Sequence, residues 1–305
     1  MKFVYFNGEF VRQDKALISI MTHGLQYGTG CFEGIRAYYS EKDTALYAFR
    51  LEEHFKRFLR SCQTLFIKPG HSAGELSQIT KSLLEKNFDK TDIYIRPVAY
   101  KSDLRVGNFN LTKLEDGLAI YTVSMGRYLD TTKGVRATIS PWRRISDTAI
   151  PPRAKVTGSY INTSLAKTDA ELSGYDEALL LDNAGHIVEG SAENIFAVKS
   201  GALITPPPSD DILEGITRST IIELVQKELK LPLIERSIGR SEIYSVDELF
   251  LVGTGAEVSP VISVDKRLIG DGTIGKYTKI LKDMYFQIVH GENKTYKHWL
   301  TKITA

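Results

Sequence analysis

Four short segments of this chain carry side chains that could do chemistry. They are Lys155-Val-Thr-Gly-Ser-Tyr160-Ile-Asn162, Glu189-Gly-Ser-Ala-Glu193-Asn194, Gly215-Ile-Thr217-Arg218 and Gly253-Thr254-Gly-Ala-Glu257. The first offers an amine, a group that can condense with a carbonyl and carry protons. The second offers two carboxylates, Glu189 and Glu193, either of which would favour the protonated form of a nitrogen beside it. The third opens a helical pattern, where unpaired N–H groups and the helix dipole favour an anion. The Thr217 hydroxyl adds a donor there. In the fourth, Thr254 follows a strand and precedes a glycine. Taken singly, each has a plainer reading. Lys155 is a solvated charge, Glu189 faces solvent from a strand, Tyr160 packs in a core, and Thr217 is an ordinary helix cap.

Two further stretches lie in the first half. In Tyr94-Ile-Arg96-Pro97, a strand would put Tyr94 and Arg96 on one face. On that basis alone, Arg96 equally fits a cross-strand ion pair. In Gln26-Tyr-Gly-Thr-Gly-Cys-Phe-Glu-Gly-Ile-Arg36, the glycines let the backbone approach a ligand closely, or make a turn beside packed aromatics.

Several familiar motifs fail on context. Gly270-Asp-Gly272-Thr-Ile-Gly275 matches GxGxxG, but no βαβ unit with its later acidic residue fits before Ala305. Tyr277 stands where a P-loop needs Ser or Thr. Ser263-Val-Asp-Lys266 matches SxxK without its partner motifs and reads as a turn between strands. The histidines are scattered without HExxH, giving metal catalysis no support, and there is no GxSxG elbow.

The elements that must position these residues follow from periodicity. Asn7-Gly8 between short alternating runs predicts a hairpin. Ile35–Tyr39 and Ala45–Phe49 form a second pair. Apolar residues at helical spacing predict helices over 51–66 and 73–87, the latter opened by a Ser72…Glu75 capping box. DIYIRPVAY and GLAIYTVSM read as strands. GRYLDTTKG then interrupts the pattern and predicts a domain connection at 125–134. Beyond it come the strand VRATIS and a helix from about Ser159 to Leu172, stopped at Gly174. A run of strands follows in DEALLLD, HIVE, NIFAV and ALIT, with a turn at Asn183–Gly185. Helices over 216–229 and 276–289 flank the strand ELFLVGT.

The composition suits a globular chain of two domains. There are 305 residues, 42% hydrophobic and 25% charged, with a formal net charge of +2. No basic arm or acidic tail points to nucleic acid, and no apolar run is long enough to span a membrane. The first residues lack the pattern of a signal peptide. Cys31 and Cys62 are too few for a disulfide framework and fit a reducing, cytoplasmic compartment.

Together the four segments resemble the class IV, fold-type IV aminotransferases that use pyridoxal phosphate. FEGIRAY and YIRP resemble the branched-chain amino acid members in particular. The resemblance runs from about Asn7 to beyond Gly275. It implies an α/β fold of the α+β type, with a smaller N-terminal α+β domain over 1–124 and a larger α/β barrel-like domain over 135–305. The cofactor would lie between them. It also implies that Lys155 forms a Schiff base with the cofactor, is displaced by the incoming amino acid, and then moves a proton between the substrate α-carbon and C4′. Glu189 would face the ring nitrogen and Tyr160 the phenolic oxygen. Arg57, Gly215, Ile216, Thr217 and Thr254 would hold the phosphate, and Leu213 would pack on the ring.

For the substrates, amino acids and 2-oxo acids, the resemblance implies an apolar wall from Tyr27, Phe32 and Tyr94. Arg96 would take the distal carboxylate of glutamate or 2-oxoglutarate. Backbone N–H groups at Gly255 and Ala256 would take the α-carboxylate, and Tyr128 would form part of a lid. Met125 departs from an aromatic common in relatives, and Thr157-Gly158 replaces a common glycine pair. The loop Lys101–Leu111 would reach a neighbouring subunit's site, implying a homodimer or larger homo-oligomer. D-amino acid aminotransferases and aminodeoxychorismate lyases share this fold and are the rival readings.

Overall fold

The computed structural model describes residues 2–126 and 133–305. Tyr128 and much of the expected connection lie outside the described residues. Contacts divide the chain into two units. The first takes in Met1–Gly126 together with Ala154–Gly158 and Gln287–Ala305; the second takes in Ser159–Phe286 and the stretch that ends at Arg153. Two later segments therefore pack with the first unit, although chain order alone assigned both to the second domain.

In the first unit, the described residues form an eight-stranded sheet. Its order is Leu300–Ile303, Ala45–Phe49, Ile35–Ser40, Ile93–Lys101, Asp116–Ser124, Phe3–Phe6 and Glu9–Arg12, with Gly30–Phe32 also paired to Ile93–Lys101. The Asn7-Gly8 hairpin forms as expected, with Phe6 opposite Glu9 and positive φ at both turn residues. Helix Leu51–Thr64 buries Phe55, Phe58 and Cys62, and helix Ala73–Lys86 buries Leu76 and Leu83, all in one core with Ile35, Ile93 and Ile95. Ser72 and Glu75 close the capping box, each accepting from the other's backbone N–H. Burial alternates along Ile93–Lys101, leaving Tyr94 and Arg96 together on the face opposite Ile93 and Ile95.

The second unit holds a ten-stranded sheet. Six of its strands run Asn194–Lys199, Glu248–Gly253, Glu257–Val264, Val135–Arg143, Glu177–Leu181 and His186–Gly190. The last pairs back to the first through Glu189 opposite Asn194, closing a six-stranded barrel. Leu179, Ile187, Ile195, Leu251 and Val261 belong to one core there. Val135–Arg143 and Glu177–Leu181 are parallel, so a crossover must join them. Helix Tyr160–Leu172 lies in it, burying Ala166 and Ala170 against Ala178 and Leu180.

Periodicity placed most of these elements within a few residues. The helix expected over 216–229 is α-helical over Ile216–Leu224 and π-helical over Val225–Leu229. Strands Glu257–Val264 and Leu300–Ile303 carried too little alternation to be read. The GxGxxG stretch has a local explanation. Glu248 accepts from the Tyr277 and Thr278 N–H groups at 3.0 and 2.8 Å, capping the last helix. A Cβ at Gly275 would lie 2.1 Å from that same side chain.

Candidate active site

The residues expected to do chemistry fall into two groups, one in each unit. In the first unit, Lys155 sits in an irregular stretch docked on the sheet and the first long helix. Phe32 N–H donates to Lys155 O at 3.0 Å, and Lys155 N–H donates to Ser61 Oγ at 3.1 Å. Val156 bridges Cys31. The Thr157 hydroxyl spans to Gly28 O at 2.8 Å and Gly30 O at 3.1 Å. Thr157 thus ties the lysine segment to the glycine-rich stretch. Gly28 has positive φ, and a Cβ there would stand 2.7 Å from Gly158 Cα, so these two glycines permit the close approach.

Around Lys155 an apolar and cationic cluster forms. Its Nζ lies 5.1 Å from the centroid of the buried Phe32 ring. The Arg96 guanidinium carbon lies 4.3 Å from that same centroid, and Arg96 Nη2 donates to Tyr94 Oη at 2.7 Å. An aromatic ring face attracts both cations. Gly34 makes room for this arrangement, because a Cβ there would fall 2.3 Å from Tyr94 Oη. Tyr27 is placed elsewhere. It packs on His23 and on Phe109 of the 101–111 loop, with centroids 4.5 and 5.2 Å apart.

Arg57 is no surface helix arginine. It is buried, and its Nε and Nη2 reach the two carboxylate oxygens of Glu33 at 2.7 and 2.8 Å. His54 Nδ1 meets Glu33 Oε2 at 2.9 Å. Burial pushes the Glu33 carboxyl up, but the Arg57 charge and its hydrogen bonds, with help from His54, outweigh that and hold it well below the usual range. Burial pushes the His54 imidazole down, against the pull of Glu33. Glu33, His54 and Gly34 carried no sequence signal beyond lying in or near the quoted motifs.

In the second unit, Glu189 is buried at the end of strand His186–Gly190. Its Oε1 accepts from Asn194 Nδ2 at 2.9 Å and Leu213 N–H at 2.8 Å, and its Oε2 pairs with Arg144 Nε at 3.0 Å. The Arg144 guanidinium gives this carboxylate a counter-charge, and the two N–H donors fix its direction. Glu193 contrasts with it. Burial, and then the charge of Glu177, push its carboxyl up to about 8. Of the two acids, Glu189 is the one paired with a guanidinium. Arg144 and Asn194 are further participants that periodicity did not single out.

Helix Ile216–Leu224 starts at Gly215, whose extended backbone supplies no side-chain cap. A helix start of this kind favours an anion, and the Thr217 side chain is buried in its first turn. Leu213 lies two residues before Gly215 and is half-buried. Thr254, Gly255 and Ala256 make the turn between strands Glu248–Gly253 and Glu257–Val264, with Gly253 opposite Glu257. Tyr160 opens helix Tyr160–Leu172 and is half-buried.

Comparison with known proteins agrees with this chemistry. The Amino-transferase class IV family matches residues 30–264. The chain is 50% identical over 303 residues to a probable branched-chain-amino-acid aminotransferase of Aquifex aeolicus, covering 99% of this chain and 97% of that protein. Among solved structures, the branched-chain aminotransferase of Thermoproteus uzoniensis with norvaline superposes with a TM-score of 0.94 at 41% identity, covering 99% of both chains. The branched-chain amino acid aminotransferase of Thermobaculum terrenum in its PLP-form gives 0.93 at 34% identity, covering 100% of this chain and 99% of that one.

Proposed function

This chain belongs to the class IV aminotransferases, and from that we infer that it transfers the amino group between branched-chain L-amino acids and 2-oxoglutarate, with pyridoxal phosphate as cofactor. When bound, the cofactor supplies the electron sink that draws charge from the substrate α-carbon. Lys155 holds it through its amine; once released, Lys155 Nζ carries the proton removed from the α-carbon. Glu189 would face the ring nitrogen and favour its protonated form. Gly215, Ile216, Thr217 and Thr254, with Arg57, would hold the phosphate. Leu213 would pack on the ring, and Tyr160 would hold its phenolic oxygen. Gly255 and Ala256 would take the substrate α-carboxylate.

The observation that carries this reading is the sharing of the Phe32 ring by the Lys155 amine and the Arg96 guanidinium. One substrate must be branched and aliphatic and the other must end in a second carboxylate. Phe32 and Tyr94 serve the first, and Arg96 serves the second. The loop Lys101–Leu111, with Leu104, Val106 and Phe109 exposed, serves a neighbouring subunit's site in a homodimer or larger assembly. The two free, buried cysteines support a reducing, cytoplasmic setting. Among the described residues, no helix is long and apolar enough to cross a membrane.

Borohydride reduction of the cofactor-loaded protein, followed by peptide mapping, tests the anchor. The pyridoxyl label is expected on Lys155, and a label on another lysine overturns the assignment. Lys155→Ala should abolish transamination while the fold stays intact. Parallel assays with L-leucine, D-alanine and aminodeoxychorismate test the substrate. Turnover of D-alanine without L-leucine refutes it.

A further inference from the structure

We propose that Asn194 is a positioning residue that locks the ring-nitrogen acid to the phosphate-binding helix start, so that both can grip one rigid cofactor. This rests on the functional reading above and deepens it. Asn194 is buried and sits directly opposite Glu189 across the antiparallel strand pair that closes the barrel. Its Nδ2 donates both to Glu189 Oε1 at 2.9 Å and to Leu213 O at 2.8 Å. Leu213 N–H donates back to the same Glu189 oxygen at 2.8 Å. The three groups form a closed hydrogen-bonded circuit.

The amide can stand only this way round. A carboxylate and a carbonyl accept and cannot donate, so they must face the NH2 end. Oδ1 is thereby turned toward Gly215, where a Cβ would lie 2.0 Å from it. Gly215 is the residue from which helix Ile216–Leu224 starts. One side chain therefore touches the acid, the loop before the helix and the helix cap. Arg144 adds a second tie, its Nε pairing with Glu189 Oε2 at 3.0 Å and donating to Asp211 O at 3.2 Å.

The consequence concerns distance. In pyridoxal phosphate, the ring nitrogen and the phosphate are joined through the ring and a short CH2–O linker, so their separation is bounded. An acid and an anion cradle that drifted relative to each other could each bind a fragment, but not the whole. Asn194 removes that freedom before the cofactor arrives, which is preorganisation of binding.

Binding of three probes to the cofactor-free protein tests this. They are pyridoxal phosphate, pyridoxal without its phosphate, and inorganic phosphate, each measured for the wild type, Asn194→Ala and Asn194→Asp. Loss of a hydrogen bond to a charged group should weaken pyridoxal phosphate about tenfold to a hundredfold in Asn194→Ala. Pyridoxal and inorganic phosphate, each touching one end, should weaken less than about threefold. Asn194→Asp, which places a second carboxylate against Glu189, should also shift the pH at which the bound cofactor's absorption band changes. Equal weakening of all three probes, or unchanged binding of pyridoxal phosphate, overturns the role of Asn194. Wild-type protein that binds pyridoxal phosphate no better than inorganic phosphate overturns the functional reading, and this proposal with it.

Discussion

Glu33→Gln isolates the buried charge cluster beneath the proposed phosphate arginine. Glu33 is fully buried, accepts two hydrogen bonds from Arg57 at 2.7 and 2.8 Å, and meets His54 at 2.9 Å. Replacing the carboxylate by an amide leaves the Arg57 guanidinium buried without its counter-charge. Removing one partner of such a pair typically costs about 3–5 kcal/mol. A native domain is stable by only about 5–15 kcal/mol, so a fifth or more of the first unit's stability is at stake. The chain's two tryptophans make this measurable. Trp299 is buried in the first unit, stacked near Tyr296 and Arg50, whereas Trp142 belongs to the second. In a Trp142→Phe background, fluorescence during urea unfolding reports on the first unit alone. Glu33→Gln should lower its midpoint steeply, and Glu33→Gln with Arg57→Met should recover part of the loss, since no charge is then stranded. A loss below about 1 kcal/mol would refute the reasoning, because it would mean that water reaches the pair. The pH profile gives an independent check. The Glu33 carboxyl lies below its unfolded value of 4.5, so its contribution is complete above that pH and fades as the solution is acidified further. Glu33→Gln should lack that acid-side decline.

Arg96→Ala should raise KM for 2-oxoglutarate far more than KM for 4-methyl-2-oxopentanoate, by about tenfold or more for a lost charged hydrogen bond; equal losses in steady-state assays would mark a structural arginine. Gly34→Ala should push the Tyr94 hydroxyl off Arg96 and give a weaker version of the same split, with little effect on turnover of leucine; an unchanged KM for 2-oxoglutarate would show that the Tyr94 hydrogen bond is dispensable. Glu193 has the opposite linkage to Glu33. Its folded value of about 8 exceeds its unfolded value, so the native state binds the extra proton and stability falls as pH rises between 4.5 and 8. Urea titrations at several pH values should show Glu193→Gln flattening that slope, by up to about 1.4 kcal/mol per pH unit.

How much of this was legible beforehand depends on whether a residue's role is local in the chain. The Asn7-Gly8 hairpin, the Ser72 capping box and the shared face of Tyr94 and Arg96 are consequences of neighbours a few residues apart, and period and turn chemistry reveal them. The closure of the barrel is not of that kind. It depends on Glu189 facing Asn194 and on Val135–Arg143 lying parallel to two strands far away in sequence. Composition carries no trace of such pairings. The Leu300–Ile303 strand escaped for the same reason, since four residues with a lysine among them declare nothing until Ala45–Phe49 is there to pair.

The proposed ligand-binding residues differ in the same way from those that pack against them. Lys155, Glu189 and Thr217 could be proposed because the chemistry of the resembling family constrains their type, whatever surrounds them. Glu33, Gly34 and Arg144 are fixed by other protein groups, and their types follow from partners such as Arg57, Tyr94 and Glu189 that lie elsewhere in the chain. Arg144 is 45 residues before Glu189, and nothing in either neighbourhood announces the 3.0 Å pair. Yet this supporting layer gives Glu189 a counter-charge and fixes where it points, while Glu193, four residues on and buried among other acids, is driven toward its neutral form. Two glutamates in one short motif thus meet opposite surroundings: Glu189 is given a guanidinium, while burial beside Glu177 pushes the Glu193 carboxyl up.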